Sequence, residues 1–274
     1  MKTIATASLA FVLTSTAGLA DGHASCATGN TLTDGVLTIA TGNPAYYPWV
    51  MNDDPESGEG FEAAVAYAIA AEMGFAADAV TWVRTSFDEA IQPGAKNFDF
   101  NMQQYSITPE RDEMVDFSAP YYTSAMAVLT TQAVIDAGAE ASLESLRNLK
   151  WGAVATTTAL PLLSDVIQPD SDPLLYNDNA DVNAAIMAGQ IDAALYDLPT
   201  ALYLSAVVVE GGALLGQFPA EQSETPDQFG LLMEDGNPLK ECVDAAIAAL
   251  NESGELAAIE AQWLADATGV PVIE

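Results

Sequence analysis

The chain reads as an α/β protein divided into two lobes, and three observations predict it. Segments patterned as strands alternate with segments patterned as helices, which predicts mostly parallel sheets covered by helices. The alternation occurs twice, over roughly 36–126 and 150–228, before a final helical section. Half of the 274 residues are hydrophobic, enough for sizeable cores and unlike a disordered chain.

Residues 1–24 read as a signal peptide. Lys2 supplies the positive start, an apolar run rich in small residues follows, and acids first occur at Asp21. Cleavage after Ala20 or after Ala24 fits the small residues before each. The apolar run is short for a membrane span. The "HAS" before Cys26 lacks the aliphatic residue a lipid-attachment site wants.

In the first block, 35–42 is a strand bounded by Gly35 and Gly42. Residues 43–60 are a loop rich in Pro, Gly and Asp. Phe61, Val65, Ile69 and Met73 recur every four residues, a helix closed by Gly74. A strand is expected at 79–83, and a short helix at 86–91 with Ser86 as N-cap and Glu89 three residues on. A strand at 98–107 runs into a loop. Thr108 caps a short helix that Pro109 opens. A further strand covers 125–131.

In the second block, helices are expected at 142–149, 158–167, 181–189 and 199–206, with strands at 150–156 and 191–197. A strand at 228–233 follows. Asn237 and Pro238 begin an amphipathic helix over 237–254, with Leu239, Cys242, Val243, Ala246, Ile247 and Leu250 on one stripe. A last helix carries Leu256, Ile259, Trp263 and Leu264.

Composition removes several function classes. Acids number 39 against 7 bases, a formal net charge of −32. Nucleic acid is excluded as a partner, because phosphate binding needs clustered Lys and Arg. The acids are spread along the chain and read as a solvating coat. The single histidine, His23, lies beside the cleavage region, so Ser–His and Cys–His nucleophiles lack a base and histidine–cysteine zinc sites lack ligands. No metal or cofactor is expected. Cys26 and Cys242, in an exported chain, are expected to form one disulfide.

In open α/β sheets, ligands sit beyond the carboxyl ends of the strands. The residues there include Tyr46, Tyr47, Trp49, Phe87, Gln103, Gln104, Ser106, Arg111, Thr157, Thr158 and Asp197. An arginine and N–H groups suit a carboxylate, an acid suits an ammonium group, and aromatic rings suit a side chain. The set complements an α-amino acid. Each residue also has a plainer reading. Arg111 could pair with Glu110 or Asp112, Asp197 could cap the next helix, and Phe87 could be core. At least one of Tyr46, Tyr47 and Trp49 is needed for packing.

"YSITPERDEMVDFSAPYY" (105–122) resembles the signature of periplasmic amino-acid-binding proteins of ABC importers, the polar amino-acid branch of solute-binding protein family 3. "GFEAAVAYAIAAEMGF" (60–75), "IDAALYDLPTALYL" (191–204) and the section 229–264 resemble further parts of those proteins. The resemblance implies a two-lobed, Venus-flytrap fold with two mixed sheets joined by two hinge strands. Lobe 1 would take 25–128 and 230–274, and lobe 2 would take 129–229. Arg111 would hold the ligand carboxylate, with the backbone near Ser106 and Thr157, Thr158 or both assisting. Asp197 would bind the ammonium group. Tyr46 or Tyr47 and Phe87 would flank the side chain, and Gln103 or Gln104 would narrow the site.

The resemblance implies an exported monomer that captures an amino acid and delivers it to a membrane ABC permease. Three departures from the family pattern bear on the ligand. Thr156-Thr157-Thr158 stands where Gly-Thr-Thr is usual. Ala63-Ala64 follows Glu62 where a second acid is frequent. Gly42-Asn43-Pro44 lacks the acid that relatives with cationic ligands often carry, which favours a neutral or polar amino acid. The competing readings are a dehydratase-like enzyme on the same scaffold, with Glu62 or Asp197 as general acid, and a soluble sensor.

Overall fold

The computed structural model describes residues 27–220, 226–264 and 269–273. The expected signal peptide and Cys26 lie outside them. In chain order the strands are β1 (Leu37–Thr41), β2 (Val80–Arg84), β3 (Phe100–Asn101), β4 (Asp116–Phe117), β5 (Tyr122–Ser124) and β6 (Met126–Thr131). They continue as β7 (Trp151–Val154), β8 (Leu174–Tyr176), β9 (Ala193–Asp197), β10 (Gly212–Phe218), β11 (Asp227–Phe229) and β12 (Leu232–Met233).

These form two five-stranded sheets, β2-β1-β3-β12-β4 and β10-β6-β9-β7-β8. Both are mixed. β1 is parallel to β2 and β3, and β7 is parallel to β8 and β9. By contrast β12 runs antiparallel to β3 and β4, and β6 antiparallel to β9 and β10. Parallel neighbours need a crossover connection. β6 and β12 instead enter their sheets directly after the chain has crossed between lobes. A two-stranded ribbon marks the crossing: Tyr122, Thr123 and Ser124 of β5 pair with Phe229, Gln228 and Asp227 of β11.

The expected helix over 61–73 is the helix Phe61–Glu72, and its Phe61, Val65 and Ile69 are fully buried. They pack on Leu37 and Ile39 of β1 and on Val243, Ala246, Ile247 and Leu250 of the helix Lys240–Ser253. That helix begins later than its Asn–Pro start predicts, because Asn237 Oδ1 accepts the Leu239 N–H at 2.9 Å and closes a separate turn first. Gly60 enters the Phe61 helix at φ 103°, and a Cβ there would lie 2.5 Å from the Trp49 carbonyl oxygen. The loop 43–60 can cross the helix start only because the residue is glycine.

The second sheet has apolar layers on both faces. Leu129, Val182, Ile186 and Ile191 lie in one, and Val128, Trp151, Leu163 and Leu195 in the other. Several expectations are revised here. The strand expected at 98–107 is only Phe100–Asn101, because Gln104 adopts a left-handed conformation, φ 51°, and turns the chain. The strand expected at 228–233 is interrupted at Gly230, where the chain leaves the ribbon for the first sheet.

Two features differ from the expected lobe limits. β6 lies in the second sheet along its whole length, starting before residue 128. The terminal residues also reach that sheet: Gln217 N–H bonds Pro271 C=O at 2.8 Å, Ile273 N–H bonds Gln217 C=O at 3.0 Å, and Ile273 is buried beside Trp151. Backbone pairing with β10 therefore draws the end of 230–274 away from the first lobe.

Candidate functional site

A cavity of about 310 Å³ lies between the lobes at the carboxyl ends of β1, β7 and β9. Of the residues expected at a site, Tyr46, Phe87, Gln103, Gln104, Ser106, Arg111, Thr157, Thr158 and Asp197 line it. Tyr47 does not. It is 41% exposed, and its ring packs on Tyr203 at 5.0 Å. Trp49 touches the cavity but is mainly structural: it meets Phe61, Tyr122 and Phe229 edge-on, and its indole N–H bonds Thr200 Oγ1 at 2.8 Å.

Arg111 is positioned by the short helix Pro109–Asp112. Thr108 Oγ1 accepts the Arg111 N–H at 3.3 Å, as the capping pattern predicts, and Pro109 occupies the first turn. The guanidinium lies over Phe87, 5.4 Å from the ring centre. Nη1 bonds Ser106 C=O at 2.7 Å and Nη2 bonds Thr156 C=O at 2.8 Å. Only two of about five guanidinium N–H donors are thereby engaged. Burial pulls the Arg111 pKa below its usual value, opposed by Asp227, Tyr105, Asp88 and Glu110.

Ser106 is set by the ribbon. Ile107 N–H bonds Gln228 C=O and Gly230 N–H bonds Tyr105 C=O, flanking an antiparallel bridge between Ser106 and Phe229. That pattern turns the backbone N–H and C=O of Ser106 away from the ribbon, where the C=O meets Arg111. Thr158 reaches Ser106 across the cleft, Oγ to Oγ1 at 3.4 Å. Thr157 Oγ1 instead closes its own turn on Val154 C=O at 2.9 Å.

Asp197 ends β9 and accepts the Thr200 N–H at 2.8 Å, so it caps the following helix while lining the cavity. Burial raises its pKa to about 6, against the bonds from Thr200 and with a further push from Asp227. Burial likewise raises Asp227, opposed by Ser106, Arg111 and Thr158.

Sequence reasoning passed over three residues, Asp227, Asp88 and Asp178, and gave no role to a fourth, Thr156. Thr156, which stands where glycine is usual, needs no left-handed conformation. It ties the lobes: its C=O accepts Arg111 and its Oγ1 bonds Asp88 Oδ1 at 2.7 Å. Asp227 arrives from the hinge ribbon. Asp88 lies in the helix begun by Ser86. Asp178 caps the helix Asn179–Met187, which starts two residues ahead of the expected 181, by accepting the Asp181 N–H at 2.9 Å. That cap was readable as an Asp two residues before the first apolar position. Asp88, Asp178, Asp197 and Asp227 line the cavity, and Arg111 is the sole cation among the described lining residues.

Glu62 is not part of the wall; it is sealed behind Gln104. Among the described residues no group of His, Cys, Asp and Glu is arranged to hold a metal ion, and no helix is long and apolar enough to cross a membrane.

The family model of bacterial extracellular solute-binding proteins, family 3, matches residues 37–266. The L-cystine-binding protein TcyJ of Escherichia coli is 28% identical over 235 residues, 81% of each chain. A probable histidine-binding protein of Campylobacter jejuni is 29% identical over 172 residues, covering 60% of this chain and 62% of that one. Among solved structures, an ancestral arginine-binding protein bound to glutamine superposes with a TM-score of 0.68 at 24% identity, over 85% of this chain and all of that one. An amino acid ABC transporter substrate-binding protein of Streptococcus pneumoniae, bound to L-arginine, gives 0.64 at 25% identity, over 85% and 94%.

Proposed function

Because the chain belongs to the bacterial extracellular solute-binding proteins, family 3, we propose that it captures one L-α-amino acid between its lobes and delivers it to an ABC permease. The observation that carries this reading is Arg111, buried in the wall of the cleft with guanidinium donors to spare, in a cavity that Asp197 of the other lobe also lines. The guanidinium takes the ligand carboxylate, assisted by Ser106 and the turn at Thr157 and Thr158. Asp197 takes the ammonium group, and Tyr46, Phe87 and Gln104 border the side chain. Tyr47 is left out of the set.

The lobes meet at the β5–β11 ribbon, which serves as the hinge. Residues 1–24 direct export to the periplasm, and the protein works as a monomer without catalysis. A dehydratase is disfavoured because, of its two candidate acids, Glu62 lies behind Gln104 and offers no proton to a ligand in the cavity, which leaves only Asp197 of the pair on the wall.

The sequence favours a neutral or polar side chain. Four carboxylates against one arginine favour a cationic one as the second reading, and both disfavour aspartate and glutamate. Micromolar affinity corresponds to about −8 kcal/mol, within reach of two charge-assisted contacts and buried aromatic surface.

A thermal-shift screen of the common L-amino acids tests the reading. A ligand at about 100 times its Kd adds roughly 2.7 kcal/mol, or several degrees of Tm. Arg111→Ala is expected to lose that shift through at least a roughly hundredfold weaker affinity. Retention of the full shift in Arg111→Ala would remove Arg111 from the site.

A further inference from the structure

Glu62 is a charged residue in an interior position with no part in the cavity wall. It begins the helix Phe61–Glu72 and is 1% exposed. Its Oε1 accepts the Gln104 backbone N–H at 2.9 Å and also the Tyr121 hydroxyl, and its Oε2 accepts the Gln104 side-chain amide. Gln104 is left-handed, φ 51°, a conformation that disfavours residues with a side chain. Glu62 thus grips both ends of the residue that the backbone holds least willingly. Gln104 presents its other side to the cleft.

We propose that Glu62 is a positioning residue for amino-acid capture, clamping Gln104 so that the wall of the cavity keeps its ligand-ready shape. This rests on the amino-acid-binding reading above. An ionised carboxylate accepts all three hydrogen bonds. A protonated one loses the charge that makes each of those bonds roughly twice as strong. Burial raises the Glu62 pKa to about 7, against the bonds from Tyr121 and Gln104 and with Asp197 adding to the rise. The groups facing it are Tyr121 and Tyr105, both held neutral well above pH 10 by burial, and Asp197, raised to about 6. The clamp is therefore complete above neutrality and loosens as pH falls through about 7.

The test uses the mature chain with Glu62→Gln and Glu62→Asp. L-glutamine and L-arginine serve as calorimetric probes, measured from about pH 8.5 to about pH 6.5, where Asp197 stays mostly ionised. Wild-type Kd should rise by up to about fourfold over that interval, the limit reached if the protonated form does not bind. Glu62→Gln should bind at least about fourfold more weakly at the alkaline end and show a flat profile. Glu62→Asp, which keeps a carboxylate, should recover the pH dependence. Wild-type affinity and slope in Glu62→Gln would overturn the proposal. Amide exchange at Gln104 gives a readout independent of ligand. It should quicken at least about tenfold in Glu62→Gln, and unchanged exchange would also overturn the proposal. If neither probe nor any other common amino acid binds the wild type, the binding reading fails, and Gln104 exchange still decides whether the clamp exists.

Discussion

Burying Glu62 sets binding against stability. Its pKa rises from 4.5 to about 7 on folding, so between those values the folded state holds the extra proton. Stability therefore falls as pH rises through that window, by about 3 kcal/mol in all. Glu62→Gln removes this cost. It is expected to unfold at a higher temperature than wild type at about pH 8, with the gap closing below about pH 5; melting curves at the two pH values check it. A residue kept only for packing would lose stability on substitution at both. Asp197, Thr158 and Gln104 were legible as cavity residues because each stands just past a strand or at a helix cap, and Arg111 because it follows the Thr108–Pro109 helix start; these are local signals. Asp227 and Thr156 were not. Thr156 meets Arg111 across 45 positions of sequence, and Asp227 comes from a hinge that no local pattern marks.

Short elements owe their existence to distant partners. β5 and β11 have three residues each and form because Tyr122 meets Phe229 across the hinge. Composition could not reveal them, and it merged β11 with β12. The caps of short helices were plain: Ser86 and Thr108 each accept the expected N–H three residues on. Gly60 is the element-scale test of the loop crossing. Gly60→Ala forces a side chain into φ 103° and against the Trp49 carbonyl. It is expected to cost roughly 1–3 kcal/mol or more, read as a lower denaturation midpoint in urea. It should also disturb the Trp49 environment, because the Trp49 C=O accepts the Glu62 N–H at 2.9 Å.

For the whole molecule, the mixed sheets and two lobes were predictable from the repeated alternation together with the family resemblance, whereas the tail's destination was not. Cys242 is buried on the stripe of the helix Lys240–Ser253, and its expected partner Cys26 lies outside the described residues. A bridge between them would close a loop of more than two hundred residues, worth up to about 5 kcal/mol. Reduction is expected to lower Tm by roughly 10 °C. Thiol titration of the unfolded mature chain should find none before reduction and two after.

The contact of Val270–Ile273 with β10 also has a kinematic consequence. Two neighbouring strands fix an axis and leave rotation about it free. A third tether, set away from that axis, acts as a strap. Between Leu264, packed in the first lobe, and Val270, beside the second sheet, six peptide steps reach at most about 22 Å. On the proposed hinge reading, the bonds of Pro271 and Ile273 to Gln217 would limit how far one lobe opens from the other.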